Sequence, residues 1–136
     1  MFPNSRITNV QRYGDAGPGA AGTVVTIEFE LDGKPFTGIN GEPMFTFSEA
    51  VSFAISREDQ AESDLYWEAL LAGGGQESQC GWLKDRFGLS WQVYPKQLAE
   101  LIGDPDPGRA SRATAAMLGQ RRIDLDAIRA AADSPP

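Results

Sequence analysis

The sequence predicts an α+β fold that consists of paired βαβββ modules followed by a helical C-terminal extension. Short runs of alternating apolar and polar side chains, separated by turns rich in Gly and Pro, are typical of strands. After Pro95 the pattern changes to Ala-rich segments with helical spacing. Residues 49–95 form a complete βαβββ order. Residues 1–48 form a partial first module without its opening strand and helix, and residues 96–136 form the extension.

The partial first module is predicted to contain three strands. Ser5–Tyr13 forms the first, and Thr23–Leu31 forms the second, in which apolar and polar residues alternate with the period of two expected of a half-buried strand. Asp32-Gly33 predicts a tight hairpin, so Lys34–Ile39 returns as the third strand. Asn40–Pro43 predicts a further turn.

The second module is predicted to begin with a strand over Ala50–Ser56 and a helix over Gln60–Ala72. Asp is a preferred N-cap residue, so Asp59 is predicted to cap this helix. Glu62, three residues later, is its predicted capping-box partner. An apolar stripe at a spacing of four predicts the buried face of the helix, namely Ala61, Leu65 and Ala69, with Trp67 and Leu70 beside it. Gly73, Gly74 and Gly75 end the helix, because glycine adopts the left-handed C-cap conformation without strain.

Two strands then follow, over Gln79–Lys84 and Leu89–Tyr94, and the helical extension begins after them. Its predicted helices cover Lys96–Ile102, Arg109–Leu118 and a third segment that Asp124 caps and that ends at Ala132. The extension therefore adds three short helices to the second module.

Charge and composition exclude several classes of partner. The formal net charge is -7, and the first 80 residues carry 4 basic and 12 acidic side chains. An acidic surface disfavours a nucleic-acid partner, which needs a basic face. No apolar run is long enough to cross a bilayer, and the N-terminus has no signal-peptide pattern. Cys80 is the single cysteine, so no intrachain disulfide forms, and we expect a cytoplasmic location.

The residues that usually indicate catalysis are scarce. The chain contains no histidine, so proton transfer would depend on carboxylates, and Glu49 and Glu77 are the candidates. The alternative, that both are ordinary surface loop residues, is favoured. Cys80 lacks a neighbour that would stabilise a thiolate, which favours a small buried strand residue over a nucleophile. The glycines after Ala72 follow a helix, whereas phosphate loops precede one.

Aromatic residues supply the clearest candidate for a binding surface. Trp82 and Trp91 lie on adjacent predicted strands, so we expect them to pair across those strands. Together with Phe87 and Tyr94 they could line an apolar pocket for an aromatic ligand. Core packing is the alternative, and it is expected to account for at least two of the four.

Several motifs, taken together, resemble one protein family, the PhnB-like proteins. They are FPNSRI (Phe2–Ile7), the FELDG-KPF hairpin, the NG-x-P turn (Asn40–Pro43), FTFSEAVSF (Phe45–Phe53), EDQAESDLYWEAL (Glu58–Leu70) and GGGQESQCGWLKDRFGLSWQVYP (Gly73–Pro95). That family carries the older description "3-demethylubiquinone-9 3-methyltransferase". It belongs to the vicinal-oxygen-chelate superfamily, with glyoxalase I, bleomycin-resistance proteins and extradiol dioxygenases.

The resemblance implies a glyoxalase-like pair of curved sheets around a cup, usually assembled as dimers. It places the metal-ligand positions of the second module near Ser52 and at Gln92, where superfamily enzymes commonly carry His and Glu. A hydroxyl and a neutral amide are poor ligands, so we expect no metal and no cofactor. The residues expected to line a ligand site are Gln92, Ser52, Asn40 and Trp82.

The missing strand and helix of the first module leave two accounts open. The chain is a truncated form, or it is a native short form that covers its exposed sheet edge by dimerisation. An unpaired edge presents free N–H and C=O groups, which favours a homodimer, with exchange of elements between copies as one version.

Three functions remain open at this point. The first is a metal-free protein that binds a small hydrophobic or aromatic molecule. The second is an enzyme of the glyoxalase or dioxygenase type or, with less support, a methyltransferase. No glycine-rich turn of a doubly wound sheet supports methyl transfer. The third is an assembly protein whose cup is filled with its own side chains.

Overall fold

The α+β class is confirmed by a computed structural model, which describes residues 1–41 and 43–135. The chain divides into two compact units, Met1–Phe45 and Thr46–Pro136. The strands described are β1 (Arg6–Arg12), β2 (Val24–Leu31), β3 (Lys34–Ile39), β4 (Ser52–Arg57), β5 (Gln76–Glu77), β6 (Trp82–Lys84) and β7 (Ser90–Pro95). The helices described are α1 (Gln60–Leu71), α2 (Leu98–Ile102), α3 (Pro107–Leu118) and α4 (Leu125–Asp133).

The first unit, Met1–Phe45, contains an antiparallel sheet of three strands in the order β1-β2-β3. All three lie where the alternating pattern predicted strands. The β2–β3 hairpin turns at Asp32 and Gly33, which have positive φ values of 51° and 74°. Two successive residues with positive φ give the turn the twist that a two-residue hairpin needs. The predicted turn at Asn40–Pro43 includes Glu42, which lies outside the described residues.

The two faces of this first sheet differ in polarity. Cross-strand partners share a face, and Ile7 pairs with Phe29, which in turn pairs with Phe36. The rings of Phe29 and Phe36 stack with centroids 5.6 Å apart. Polar residues such as Asn9 and Glu28 occupy the opposite face. None of the described residues in this unit is buried, and Ile7 is 62% exposed.

The second unit contains a mixed sheet in the order β4-β7-β6-β5. β4 and β7 are parallel, and the other neighbours are antiparallel. With α1 between β4 and β5, these elements form the complete βαβββ order. One face of the sheet presents Ile55, Leu83 and Val93, which are buried, and α1 packs against this face. We call it the helix-covered face.

α1 forms where it was predicted, and the predicted Trp67 and Leu70 are buried, but the predicted stripe beside them is not. The side chains that pack inward are Ser63, Tyr66, Trp67 and Leu70, whereas Ala61, Leu65 and Ala69 are exposed, Leu65 by 71%. Both stripes have helical spacing, and the larger aromatic stripe is the one that the sheet covers. Asp59 is the N-cap and accepts a hydrogen bond from the Glu62 N–H at 2.8 Å.

The strand predicted over Gln79–Lys84 is also corrected. Only the second half of this range is a strand, β6, while β5 lies before the range and a turn with Cys80 and Gly81 separates the two. Cys80 is half-buried in that turn with a φ of 57°, so it is not a buried strand residue. Trp82 lies opposite Gln92 rather than opposite Trp91, because the turn shifts the register of β6.

The helical extension has a core of its own within the second unit. Its helices pack around buried apolar side chains, namely Leu98, Ala113, Ile123, Leu125, Ile128 and Ala132. α3 begins two residues before its predicted start, because Asp106 caps it through the N–H groups of Gly108 and Arg109. Asp124 caps α4 through the Ala127 N–H, as predicted. None of the described helices is long and apolar enough to cross a membrane.

The turn at Cys80–Gly81 joins the sheet to the helical extension. The N–H groups of Cys80 and Gly81 donate to the carbonyls of Gln120 and Arg121 at 2.8 and 2.7 Å. The Gly81 carbonyl accepts from the Val93 N–H at 2.8 Å. A Cβ at Gly81 would lie 2.8 Å from the Val93 carbonyl oxygen and 3.0 Å from the Ile123 side chain, and the φ is 81°. Only glycine fits both the space and the conformation.

Replacing Gly81 with alanine should therefore destabilise the second unit by about 3 kcal/mol, from the left-handed backbone and the overpacked contacts together. Gly88→Ala is the matched control, because Gly88 has a φ of 84° and no atom within 4 Å of the added Cβ. This variant should lose about 1 kcal/mol of unfolding free energy, because only its left-handed backbone conformation is unfavourable. Urea unfolding followed by tryptophan fluorescence measures both, and equal losses would contradict the close packing at Gly81.

Candidate functional site

Three of the four predicted site residues lie on the sheet face that α1 does not cover, which we call the open face. Ser52 is on β4, Gln92 on β7 and Trp82 on β6. Trp82 and Gln92 are direct cross-strand partners, and Ser52 pairs with Ser90, two residues before Gln92 on the same face. The β4-β7-β6 order thus places a hydroxyl, a carboxamide and an indole side by side.

Ser52 and Gln92 are hydrogen-bonded to each other. The Gln92 Nε2 donates to Ser52 Oγ at 2.8 Å. The Gln92 carboxamide oxygen has no hydrogen-bond partner among the side chains and backbone that the structure describes. The pair therefore presents a neutral acceptor beside the Trp82 ring, both half-buried.

These two residues do not fit a divalent metal ion. A hydroxyl that accepts from an amide N–H, and an amide that directs its nitrogen at that hydroxyl, form a neutral hydrogen-bonded pair. Divalent ions in this kind of site prefer imidazole and carboxylate ligands. The described residues also contain no cluster of three or more His, Cys, Asp or Glu side chains that could hold a metal ion.

A cleft of about 210 Å³ opens at one end of the open face. Its main lining residues are Glu49, Gln76, Glu77, Trp82, Lys84 and Ser90. At the other end of the same face, Tyr94 packs against the core of the helical extension. The cleft and the Tyr94 contact thus lie at opposite ends of β7.

An ion pair joins the two sides of the cleft. Lys84, on β6, contacts the carboxylate of Glu49, which lies in the coil before β4. The hydrogen bond from the Lys84 ammonium lowers the pKa of the Glu49 carboxyl below its usual value. Glu49 is therefore charged at neutral pH, and it suits charge pairing better than proton donation.

Glu77, the other carboxylate candidate, has structural partners. It accepts a hydrogen bond from Trp67 Nε1 at 3.3 Å, and Arg121 lies 3.8 Å from its second oxygen. One contact anchors α1 to β5, and the other reaches the loop before α4. Glu77 lies at the rim of the cleft, but its contacts are those of a residue that connects elements.

The fourth predicted residue, Asn40, lies in the first unit. Its Nδ2 donates to the Val24 carbonyl at 3.1 Å, and its N–H donates to the Val25 carbonyl at 2.8 Å. It is exposed, and its contacts extend the β2–β3 pairing past the end of β3. Nothing in these contacts distinguishes it from a residue that ends a strand.

Five of the lining residues were not predicted from the sequence, namely Gln76, Ser78, Leu83, Lys84 and Ser90. Ser90 could have been found, because the period of two places it on the same face of β7 as Gln92, although Ser90 itself is buried. Lys84 faces the cleft because it pairs with Ser90, and that register depends on the Cys80–Gly81 turn. No sequence pattern near Lys84 indicates that its side chain faces the cleft.

Trp91 lies on the helix-covered face and belongs to the core. Its ring contacts Phe53 with centroids 5.5 Å apart, and its Nε1 donates to Asp85 at 3.0 Å. Phe87 is exposed in the β6–β7 turn. Trp82 is therefore the one member of the predicted aromatic group that lines the described cleft.

Comparisons with known proteins agree with this architecture. A family model described as 3-demethylubiquinone-9 3-methyltransferase matches residues 1–94. The chain is similar in structure to the PhnB protein from Bacillus cereus, with 33% identity and a TM-score of 0.61 over 69% of this chain and 81% of that one. It also shares its fold with a Pseudomonas aeruginosa protein, at 19% identity and a TM-score of 0.50, over 66% of this chain and 77% of that one. No curated protein matches the chain.

The matched region includes β1 to β6, α1, β7 as far as Tyr94 and the residues of the open face. The length of this match and the 33% identity to the Bacillus cereus protein together establish family membership. The chain belongs to the PhnB-like family, whose description is 3-demethylubiquinone-9 3-methyltransferase.

Proposed function

We propose that this protein is a metal-free PhnB-like protein that binds a small molecule on the open face of its second unit and acts as a homodimer in the cytoplasm. The observation that supports binding most directly is the arrangement of Trp82, Gln92 and Ser52 beside an accessible cleft. An indole ring and a neutral acceptor suit a ligand that has an aromatic or apolar part and one polar group.

The side chains of the open face and its cleft suit the binding of a small molecule better than metal-assisted catalysis. Lyase, isomerase and dioxygenase reactions of the superfamily need a metal-ligand set, and Ser52 and Gln92 do not form one. No histidine is available in the chain to replace them. The carboxylates of the cleft, Glu49 and Glu77, each already contact a basic side chain.

Dimerisation is proposed from the first unit. A sheet of three strands that buries none of its described residues leaves its apolar face in water, so it is marginally stable by itself. In the second unit, β4 completes the sheet by pairing in parallel with β7. β3 is the last strand of the first sheet, and no parallel strand of the described residues pairs with it. A second copy of the chain could cover this edge and the apolar face.

Benzyl alcohol, a small neutral aromatic probe, should bind at the open face with millimolar affinity. In the ¹⁵N-labelled protein it should shift the Trp82 indole N–H and Gln92 side-chain amide signals. Trp82→Ala should weaken binding, read at Gln92, about fivefold, since an aromatic contact is worth about 1 kcal/mol. Phe87→Ala is the control, because that exposed ring lies outside the described cleft. Shifts confined to other residues would contradict the site.

Sedimentation velocity should show a particle of twice the 14.7 kDa mass of one chain. Ile7→Asp should shift the protein toward monomer, because it places an uncompensated carboxylate on the apolar face of β1. Gln11→Glu adds a negative charge to the opposite face of the same strand and should leave the dimer intact. A monodisperse wild-type monomer would rule out the dimer.

S-adenosylmethionine should not raise the melting temperature of the protein. A methyltransferase would bind this donor, and ligand binding to the folded state raises stability by mass action. The two described sheets contain one parallel strand pair, β4 with β7, rather than a doubly wound parallel sheet. A clear, saturable rise in melting temperature would instead favour the activity that the family description names.

A further inference from the structure

We infer that the open-face site, if it binds small molecules as proposed above, selects those that carry a carboxylate, and that Lys84 receives this carboxylate in place of Glu49. The inference rests on the proposed function and adds the charge class of the ligand. Lys84 and Trp82 are two residues apart on β6 and face the same side of the sheet. A ring that contacts Trp82 can therefore direct a carboxylate toward Lys84.

The charges of the cleft point to a single anionic group. Of the described residues that line it, Lys84 alone is basic. Two carboxylates, Glu49 and Glu77, also line the cleft. Glu77 already contacts Arg121 and Trp67, and Glu49 is the group that a ligand would replace at Lys84. The polar residues beside them, Gln76, Ser78 and Ser90, are neutral. One ammonium compensates the single charge of a carboxylate, whereas a phosphate group would need more positive charge than this surface offers.

The carboxylate of Glu49 forms an ion pair with the Lys84 ammonium, as the carboxylate of a ligand would. It lies in coil, and its side chain is 65% exposed, so its removal exposes no core. An exposed lysine–carboxylate pair is weak, so a ligand that also contacts Trp82 can replace Glu49 at the ammonium. Glu49 therefore acts as an internal competitor and lowers the affinity for an anionic ligand.

Glu58 and Lys96 provide a matched comparison. They form a second exposed glutamate–lysine pair in the same unit, and neither lines the described cleft. A change that acts through the overall charge of the protein should have the same effect at either pair. A change that acts through the site should have its effect at Glu49 alone.

The test compares benzoate with benzyl alcohol, which has a similar ring and no charge, by NMR titration of the ¹⁵N-labelled protein. The quantity is the ratio of the two affinities, benzoate to benzyl alcohol. The wild type should prefer benzoate. Lys84→Gln should reduce the ratio about fivefold, Glu49→Gln should raise it about threefold, and Glu58→Gln should leave it unchanged. Unaltered amide spectra away from each substitution confirm that the variants are folded.

Three results would overturn the inference. If benzyl alcohol binds and benzoate does not, the carboxylate preference is wrong and the proposed function stands. If Lys84→Gln weakens both probes equally, Lys84 supports the shape of the cleft and does not recognise charge. If neither probe moves the Trp82 and Gln92 signals, the inference and the ligand site fail together.

Discussion

The architecture of the second unit depends on the close contact at Gly81. Its N–H and its carbonyl connect two different elements, the loop before α4 and strand β7. Because no side chain fits between the Val93 carbonyl and Ile123, the turn fixes the distance between sheet and extension. Gln60, at the start of α1, forms two hydrogen bonds with the same loop. Its side chain donates to the Ile123 carbonyl at 2.7 Å and accepts from the Leu125 N–H at 3.0 Å. The loop is thus held between α1 and the sheet.

The register that follows from this turn determines which residues face the cleft. Trp82 faces Gln92, and Lys84 faces Ser90, because β6 starts directly after Gly81. A shift of one residue would place Leu83 on the open face and move Trp82 and Lys84 to the helix-covered face. The first unit lacks a comparable constraint, and none of its described residues is buried. The two units therefore differ in how far each can be stable without a partner.

Features set by local sequence were predicted, and features set by long-range contacts were missed. The β2 strand and the Asp59 cap follow from patterns within a few residues. The predicted stripe of Ala61, Leu65 and Ala69 is exposed because the sheet, not the helix, decides which of two stripes is covered. The Lys84–Glu49 pair was missed because it joins β6 to a coil 35 positions earlier in the chain. Ser52 and Gln92 were placed through family resemblance, and their hydrogen bond required the structure.

We propose that the open face beside Trp82 is the recognition surface, whereas the helix-covered face is core. A crystal structure of the protein soaked with benzoate tests this proposal most directly. We expect electron density for the ring against Trp82 and for the carboxylate at Lys84, with Glu49 displaced. Density elsewhere on the chain, or a cleft closed by the protein's own side chains, would contradict it.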